Sequence, residues 1–208
     1  MTATAADYAW FETRLDHFAQ AYCLTLARGL EPREFLTRIG ARPLEPLAGL
    51  DALYEPSMDA WDENGGTETL MAATTVTGDN GPWTLGVEIN GYLGVTPELV
   101  APVSAGTMIV SHFSNVNADS IFYWIEDGVI RLEFDPLLGP AYREGSTPDA
   151  VTDLMQAVGF DLTEDGDNTE DCTTAALALA ERLTGVRLTP ELLEQATYTC
   201  GMVQIPTG

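Results

Sequence analysis

The residues of this chain whose types could do chemistry are two histidines, three cysteines, and a few carboxylates and asparagines at expected strand ends. Their densest grouping lies between Trp83 and Pro136. There Ser111-His112-Phe113 runs into Asn115-Val116-Asn117, and Glu88-Ile89-Asn90 lies upstream. His112 is the candidate general base, with Glu88 or Glu126 on an adjacent strand to orient it. Ser111 does not suit it as a nucleophile, because neighbours in a strand point to opposite faces. No G-x-S-x-G elbow occurs either. The plainer reading of His112 is a histidine hydrogen-bonded within the sheet. Asparagines at such positions close turns on their own backbone, or they line a pocket. The candidate site is therefore Glu88, Asn90, Ser111, His112, Asn115 and Asn117, with His112 and Glu88 as its catalytic candidates.

Other chemistries find less to work with. Two isolated histidines, His17 and His112, and scattered cysteines do not make a zinc site. The acidic run Asp161–Asp171 offers hard oxygens at Asp165, Asp167 and Asn168. It lacks the spacing of a calcium loop with its closing glutamate, so it reads as a solvated linker. Gly91 and Gly94 do not belong to a phosphate loop, and no G-x-G-x-x-G joins a strand to a helix. No cofactor and no metal is expected. Cys23 sits among Tyr22 and Leu24, as a core residue does.

Charge narrows the partners. Thirty-two acidic residues face nine basic ones, all arginine, for a net charge of -23. Phosphate backbones and anionic membranes both need a basic footprint, so neither is an expected partner. Such acidity serves solubility, and it would also steer a basic partner protein. Cys23, Cys172 and Cys200 are far apart, odd in number and without a C-x-x-C pair. That fits a reducing compartment, and the N-terminus has no basic segment followed by an apolar run. A cytoplasmic protein is expected.

The elements that must position these residues follow from periodicity. Residues 1–6 are small and polar, as in a frayed end. Trp10, Phe11, Leu15, Phe18, Tyr22 and Leu26 recur at helical spacing, which predicts a helix from Asp7 to about Arg28. A second short helix is predicted over 32–39, giving a helical region over 8–40. A helical turn near 47–54 and an exposed turn around Trp61 come next. Strands are predicted over 68–77, 83–89, 107–113, 120–126 and 129–134, the first two partnered through the Asp79-Asn80-Gly81 turn, with a short helix after Thr96, its cap. Asp127-Gly128 is the strongest hairpin signal. In 83–89 the apolar residues alternate with polar ones, as in a strand with one buried face. Helices are predicted over 148–158, 173–183 and 190–197, with Thr147 and Thr189 as caps. The expected fold is a single α+β domain over 1–208. It has an antiparallel sheet of about five strands at 68–135, a short inserted helix, and flanking N-terminal and C-terminal helices, the last at 148–197. One sheet face would stay open to solvent or a partner.

The segments WTLGVEINGYLGV at 83–95, SAGTMIVSHFSNVN at 104–117 and ERLTGVRLTPELL at 181–193 resemble an actinobacterial family of uncharacterised proteins. That resemblance spans about 8–203 and transfers no catalytic residue. In size, acidity and element order the chain is also similar to bacterial immunity proteins of polymorphic toxin systems. The function expected is a non-enzymatic accessory protein, immunity-like or adaptor, that binds another protein through its acidic surface or the open face of its sheet. The alternative is a small enzyme or small-molecule sensor with a pocket around Glu88, His112, Asn115 and Asn117.

Overall fold

In the computed structural model, which describes residues 2–63, 65–164 and 166–206, Asp127 and Gly128 take φ 49° and 77°. Two consecutive positive angles make the primed turn whose twist matches antiparallel strands. It joins Ser120–Glu126 (β6) to Val129–Phe134 (β7). Upstream, Glu68–Gly78 (β3) and Gly81–Ile89 (β4) form the other expected hairpin, and Met108–Ser114 (β5) pairs with β6.

The sheet is larger than about five strands. Among the described residues it has eight, because Tyr22–Arg28 (β1), Arg42–Ala48 (β2) and Thr197–Gln204 (β8) join it. The order is β2-β8-β3-β4-β1-β5-β6-β7, and every pairing is antiparallel. β1 corrects the helix expected to run to Arg28. Only Trp10–Arg14 (α1) and Asp16–Ala19 (α2) are α-helical there, and Leu15 leaves the helical region between them. Tyr22, Leu24 and Leu26 enter one core while Cys23 and Ala27 enter the other. A strand buried on both faces has no polar alternation to reveal it, and leucine and alanine keep the helical reading alive. β2 carries Pro43 and Pro46, which only an edge strand tolerates. It is an edge strand, with a register shift between Leu44 and Leu47.

Both faces of the sheet are covered at its centre, so the expected open face is absent there. Every residue from Trp83 to Ile89 is buried. On the first face Leu24, Leu85, Val87 and Phe122 pack with Phe11 and Phe18. The helices Thr152–Val158 (α6), Cys172–Thr184 (α7) and Pro190–Gln195 (α8) add Met155, Leu179 and Leu193 to that cluster. On the second face Cys23, Met71 and Ile109 pack with Phe35 of Pro32–Arg38 (α3) and Val100 of Pro97–Val103 (α5). Tyr54–Glu63 (α4), where an exposed turn was expected, puts Trp61 against this second cluster.

Cap chemistry holds at one end and shifts elsewhere. Thr189 accepts the Leu192 N–H at 3.2 Å and caps α8. Thr147 does not cap α6, because residues 144–147 bond to the outer edge of β7. Glu133 and Glu144 exchange backbone bonds at 2.9 Å, and the Thr147 N–H donates to Arg131 at 3.0 Å. That strap protects the sheet edge and delays the helix to Thr152. In the stretch 1–6 expected to fray, Met1 lies outside the described residues and Ala3 is anchored. Ala3 is buried, and its carbonyl accepts Arg182 Nε at 2.7 Å.

Leu85 has no exposed surface and lies near the middle of the sheet. Leu85→Ala removes that packing and leaves a cavity, so it is expected to lower unfolding free energy by about 2–5 kcal/mol. The urea midpoint measures it, and an unchanged midpoint would contradict the burial described.

Candidate functional site

The site begins with the position of β1. The strand lies between β4 and β5, pairing Cys23 with Glu88 on one side and with Phe113 on the other. Leu24 pairs with Val87 and with His112. Glu88 therefore shares a face with Cys23, and His112 shares the opposite face with Leu24. The pocket expected around Glu88, His112, Asn115 and Asn117 does not form, because its two catalytic candidates are separated by the thickness of the sheet. Glu126 cannot substitute for Glu88. It pairs with Met108, four residues from His112, and its carboxylate meets Arg131 at 3.5 Å.

Glu88 is fully buried beneath the loop that follows β4. Its carboxylate oxygens accept the N–H of Leu93 at 2.9 Å and of Gly94 at 3.0 Å. Those donors belong to the 3-10 turn Leu93–Val95. The loop lies too close to the sheet for larger residues. A Cβ on Gly91 would stand 2.5 Å from Glu88 Oε2, and one on Gly94 would stand 2.0 Å from Thr25 Oγ1. Burial pushes the Glu88 carboxyl up to about 7, against the two backbone N–H bonds and Cys23, which favour the charge. Cys23 faces it on β1, and burial together with the Glu88 charge raises that thiol well above its usual range. Ser111 lies on this face too, donating to Thr25 Oγ1 at 3.2 Å. Glu88, Cys23, Thr25 and Ser111 thus form a polar row sealed under Gly91–Val95.

His112 belongs to a different network. The phenol of Tyr22, whose pKa burial raises, donates to His112 Nδ1 at 2.9 Å. With Nδ1 as acceptor, Nε2–H points to Ser120 Oγ at 3.3 Å, and that hydroxyl donates to the Phe113 carbonyl at 3.3 Å. Burial lowers the imidazole to about 3, so it stays neutral. The rings of Tyr22 and Phe122 lie 5.5 and 6.4 Å away. This is the hydrogen-bonded sheet histidine, with its polar capacity spent internally.

The asparagines close turns. Asn115 Oδ1 accepts the N–H of Asn117 at 2.9 Å and of Asp119 at 3.1 Å. Asn117 is exposed, and Asn90 has φ 53° at the end of β4 while donating its N–H to Ala21 at 3.0 Å. Thr96, expected to cap α5, instead donates its hydroxyl to the Tyr92 carbonyl at 2.9 Å.

Asn115 does border a surface groove of about 500 Å³ that periodicity did not indicate. Tyr92, Phe113, Asn115, Asp119 and Asp135 line it. Tyr92 and Phe113 stand 6.4 Å apart and nearly perpendicular. Its members come from the loop after β4, the β5–β6 hairpin and the residue after β7, so spacing could not join them.

In the acidic run 161–171, Asp165 lies outside the described residues. Asp167 Oδ1 accepts both the N–H and the hydroxyl of Thr169, at 3.0 and 2.7 Å. Asn168 is bonded to both backbone groups of Asp161, at 2.9 and 3.0 Å. Among the described residues no group of three or more histidines, cysteines or acids is placed to hold a metal ion.

Fold and site together define an acidic α+β protein built on a doubly covered antiparallel sheet, with its carboxyl and imidazole candidates held apart. Its affiliation follows from the whole chain rather than from the site. The chain belongs to a family of unknown function, DUF6461, whose match spans residues 1–207. No curated protein and no solved structure matches it.

Two measurements check the sealed row. The folded carboxyl of Glu88 sits above its ordinary value of 4.5, so its favourable contribution is full at low pH and lost as pH rises through about 7. Urea unfolding at pH values from about 5 to 8 should show wild type losing stability relative to Glu88→Gln, which cannot ionise there. Parallel profiles would show that Glu88 does not titrate in this range. Gly94→Ala forces a Cβ against Thr25 and is expected to cost about 1–3 kcal/mol. Thermal unfolding reads this, and an unshifted midpoint would show that the loop sits higher than described.

Proposed function

We propose that this chain is a non-enzymatic, cytoplasmic accessory protein, immunity-like or adaptor in kind, which binds a basic partner protein through its acidic surface. The observation that carries this reading is how the arginines are used. The chain has nine basic residues against thirty-two acidic ones. Arg14 is engaged by Glu191 and Glu194, each at 2.7 Å. Arg38 meets Glu34, and Arg143 meets Asp149, both at 2.8 Å. Arg182 spends its guanidinium on the carbonyls of Ala3 and Ala157. Such surface pairs add little to stability, but they occupy the cations that would otherwise offset the acidic field. A field of this sign draws in a basic protein and repels phosphate backbones and anionic membranes.

The competing reading, a small enzyme or sensor, needed Glu88, His112, Asn115 and Asn117 in one pocket. Their separation across the sheet weighs against it, as does the neutral, internally bonded His112. The free cysteines, with Cys23 and Cys200 buried, accord with a reducing compartment. Among the described residues no helix is long and apolar enough to cross a membrane.

Affinity capture from cells that express the tagged chain tests the proposal. A stably retained basic protein is expected, released as salt rises from about 0.05 to about 0.5 M because screening shortens the reach of surface charge. Recovery of no protein partner, together with thermal stabilisation by a metabolite, would overturn it in favour of a small-molecule function.

A further inference from the structure

We infer that the groove formed by Tyr92, Phe113, Asp119 and Asp135 receives an arginine side chain of the partner. This inference rests on the acidic-surface reading above and names the place and the chemistry of contact. Three features of the groove point to a guanidinium. It has an aromatic wall, where the half-buried Tyr92 packs edge-on against the buried Phe113, with ring centroids 6.4 Å apart and planes at 71°. A planar cation stacks on such rings in a way that a compact ammonium does not. Two carboxylates flank the wall, and no basic residue lines the groove. Its volume of about 500 Å³ leaves room for a long side chain.

The groove is also set in place before any partner arrives. Asp119 Oδ2 is held by Asn115 Nδ2 at 2.9 Å. Asp135 Oδ1 accepts the N–H groups of Leu137 and Leu138 at 2.8 and 2.9 Å. One oxygen of each carboxylate is thereby fixed, and among the described residues the other has no hydrogen-bond donor. Tyr92 is steadied by its own backbone, whose carbonyl accepts the Val95 N–H at 3.1 Å and the Thr96 hydroxyl at 2.9 Å. The Glu88 bonds to Leu93 and Gly94 pin the same loop to the sheet. A receptor whose groups are ordered in advance loses less on binding.

The test is a nitrogen-15 NMR titration of the full chain with N-acetyl-arginine amide, using N-acetyl-citrulline amide as the uncharged control. Saturable shifts are expected at Tyr92, Phe113, Asn115 and Asp119 with the arginine probe and not with citrulline. Asp119→Asn and Tyr92→Ala should each weaken binding by about fivefold or more, as loss of a charge-assisted bond or a cation–π contact does. Asp119 is exposed, so its variant keeps the test valid even if Tyr92→Ala fails to fold. Shifts scattered over the acidic surface and unchanged in the Asp119→Asn variant would overturn the groove and leave the broader reading standing. No shifts with arginine, although affinity capture recovers a basic partner, would also overturn the groove alone. Failure of both experiments would overturn both proposals.

Discussion

The pairing of β1 between β4 and β5 is the constraint on which the rest of the molecule depends. Six residues of one strand, Tyr22–Ala27, pair on both edges and are buried on both faces. Side chains alternate across a sheet, and this one register therefore sorts the centre of the protein. Cys23 brings Glu88 under the loop with Gly94. Leu24 brings His112 into the aromatic cluster of the other face. A slip of one residue in β1 would exchange the two sets and place leucines under a loop built for small and polar neighbours.

That sorting shows how the interior accommodates groups that prefer water. Glu88, His112 and Tyr8 are satisfied, each differently, whereas Ser57 Oγ and Trp83 Nε1 are buried without a hydrogen-bond partner among the described residues. Glu88 keeps a carboxyl by accepting two backbone N–H bonds, yet burial still raises its pKa to about 7. His112 avoids charge altogether and passes hydrogen bonds from Tyr22 to Ser120. Tyr8 donates to Glu181 at 2.7 Å where the N-terminal segment meets α7. An unpartnered buried polar group would cost more than any of these bonds returns. A strongly perturbed carboxyl alone is therefore not a catalytic signature here: Glu88 has a sufficient structural task in holding the Gly91–Val95 loop. The remaining carboxylates lie mostly on the outside, where the partly shielded arginines leave a negative surface. The groove at Tyr92 joins the two regimes, since the buried Glu88 bonds fix one of its walls and exposed acids line the other side.

How far residues alone foretold this arrangement depended on whether a local rule was sufficient. Asp127-Gly128 set its hairpin because its two positive backbone angles need no help from elsewhere. Thr189 capped its helix for a similarly local reason. Thr147 and Thr96 carried the same signal and were drawn into other bonds, one segment to the edge of β7 and the other hydroxyl to Tyr92. Ser111 and His112 were correctly assigned to opposite faces by strand geometry. The separation of Glu88 from His112 was not foreseeable, because residues alone did not show that β1 enters between β4 and β5.

By itself, then, the sequence determined the α+β class, the antiparallel hairpins and the negative charge. These follow from residue types and short spacings. Tertiary structure decided the eight-stranded order, the covering of both sheet faces, the separation of Glu88 from His112, and the assembly of the groove. The physical reason is that β1, β2 and β8 owe their conformation to partners distant in the chain. A leucine- and alanine-rich segment buried on every side, and a proline-bearing edge strand, state no preference until those partners are present.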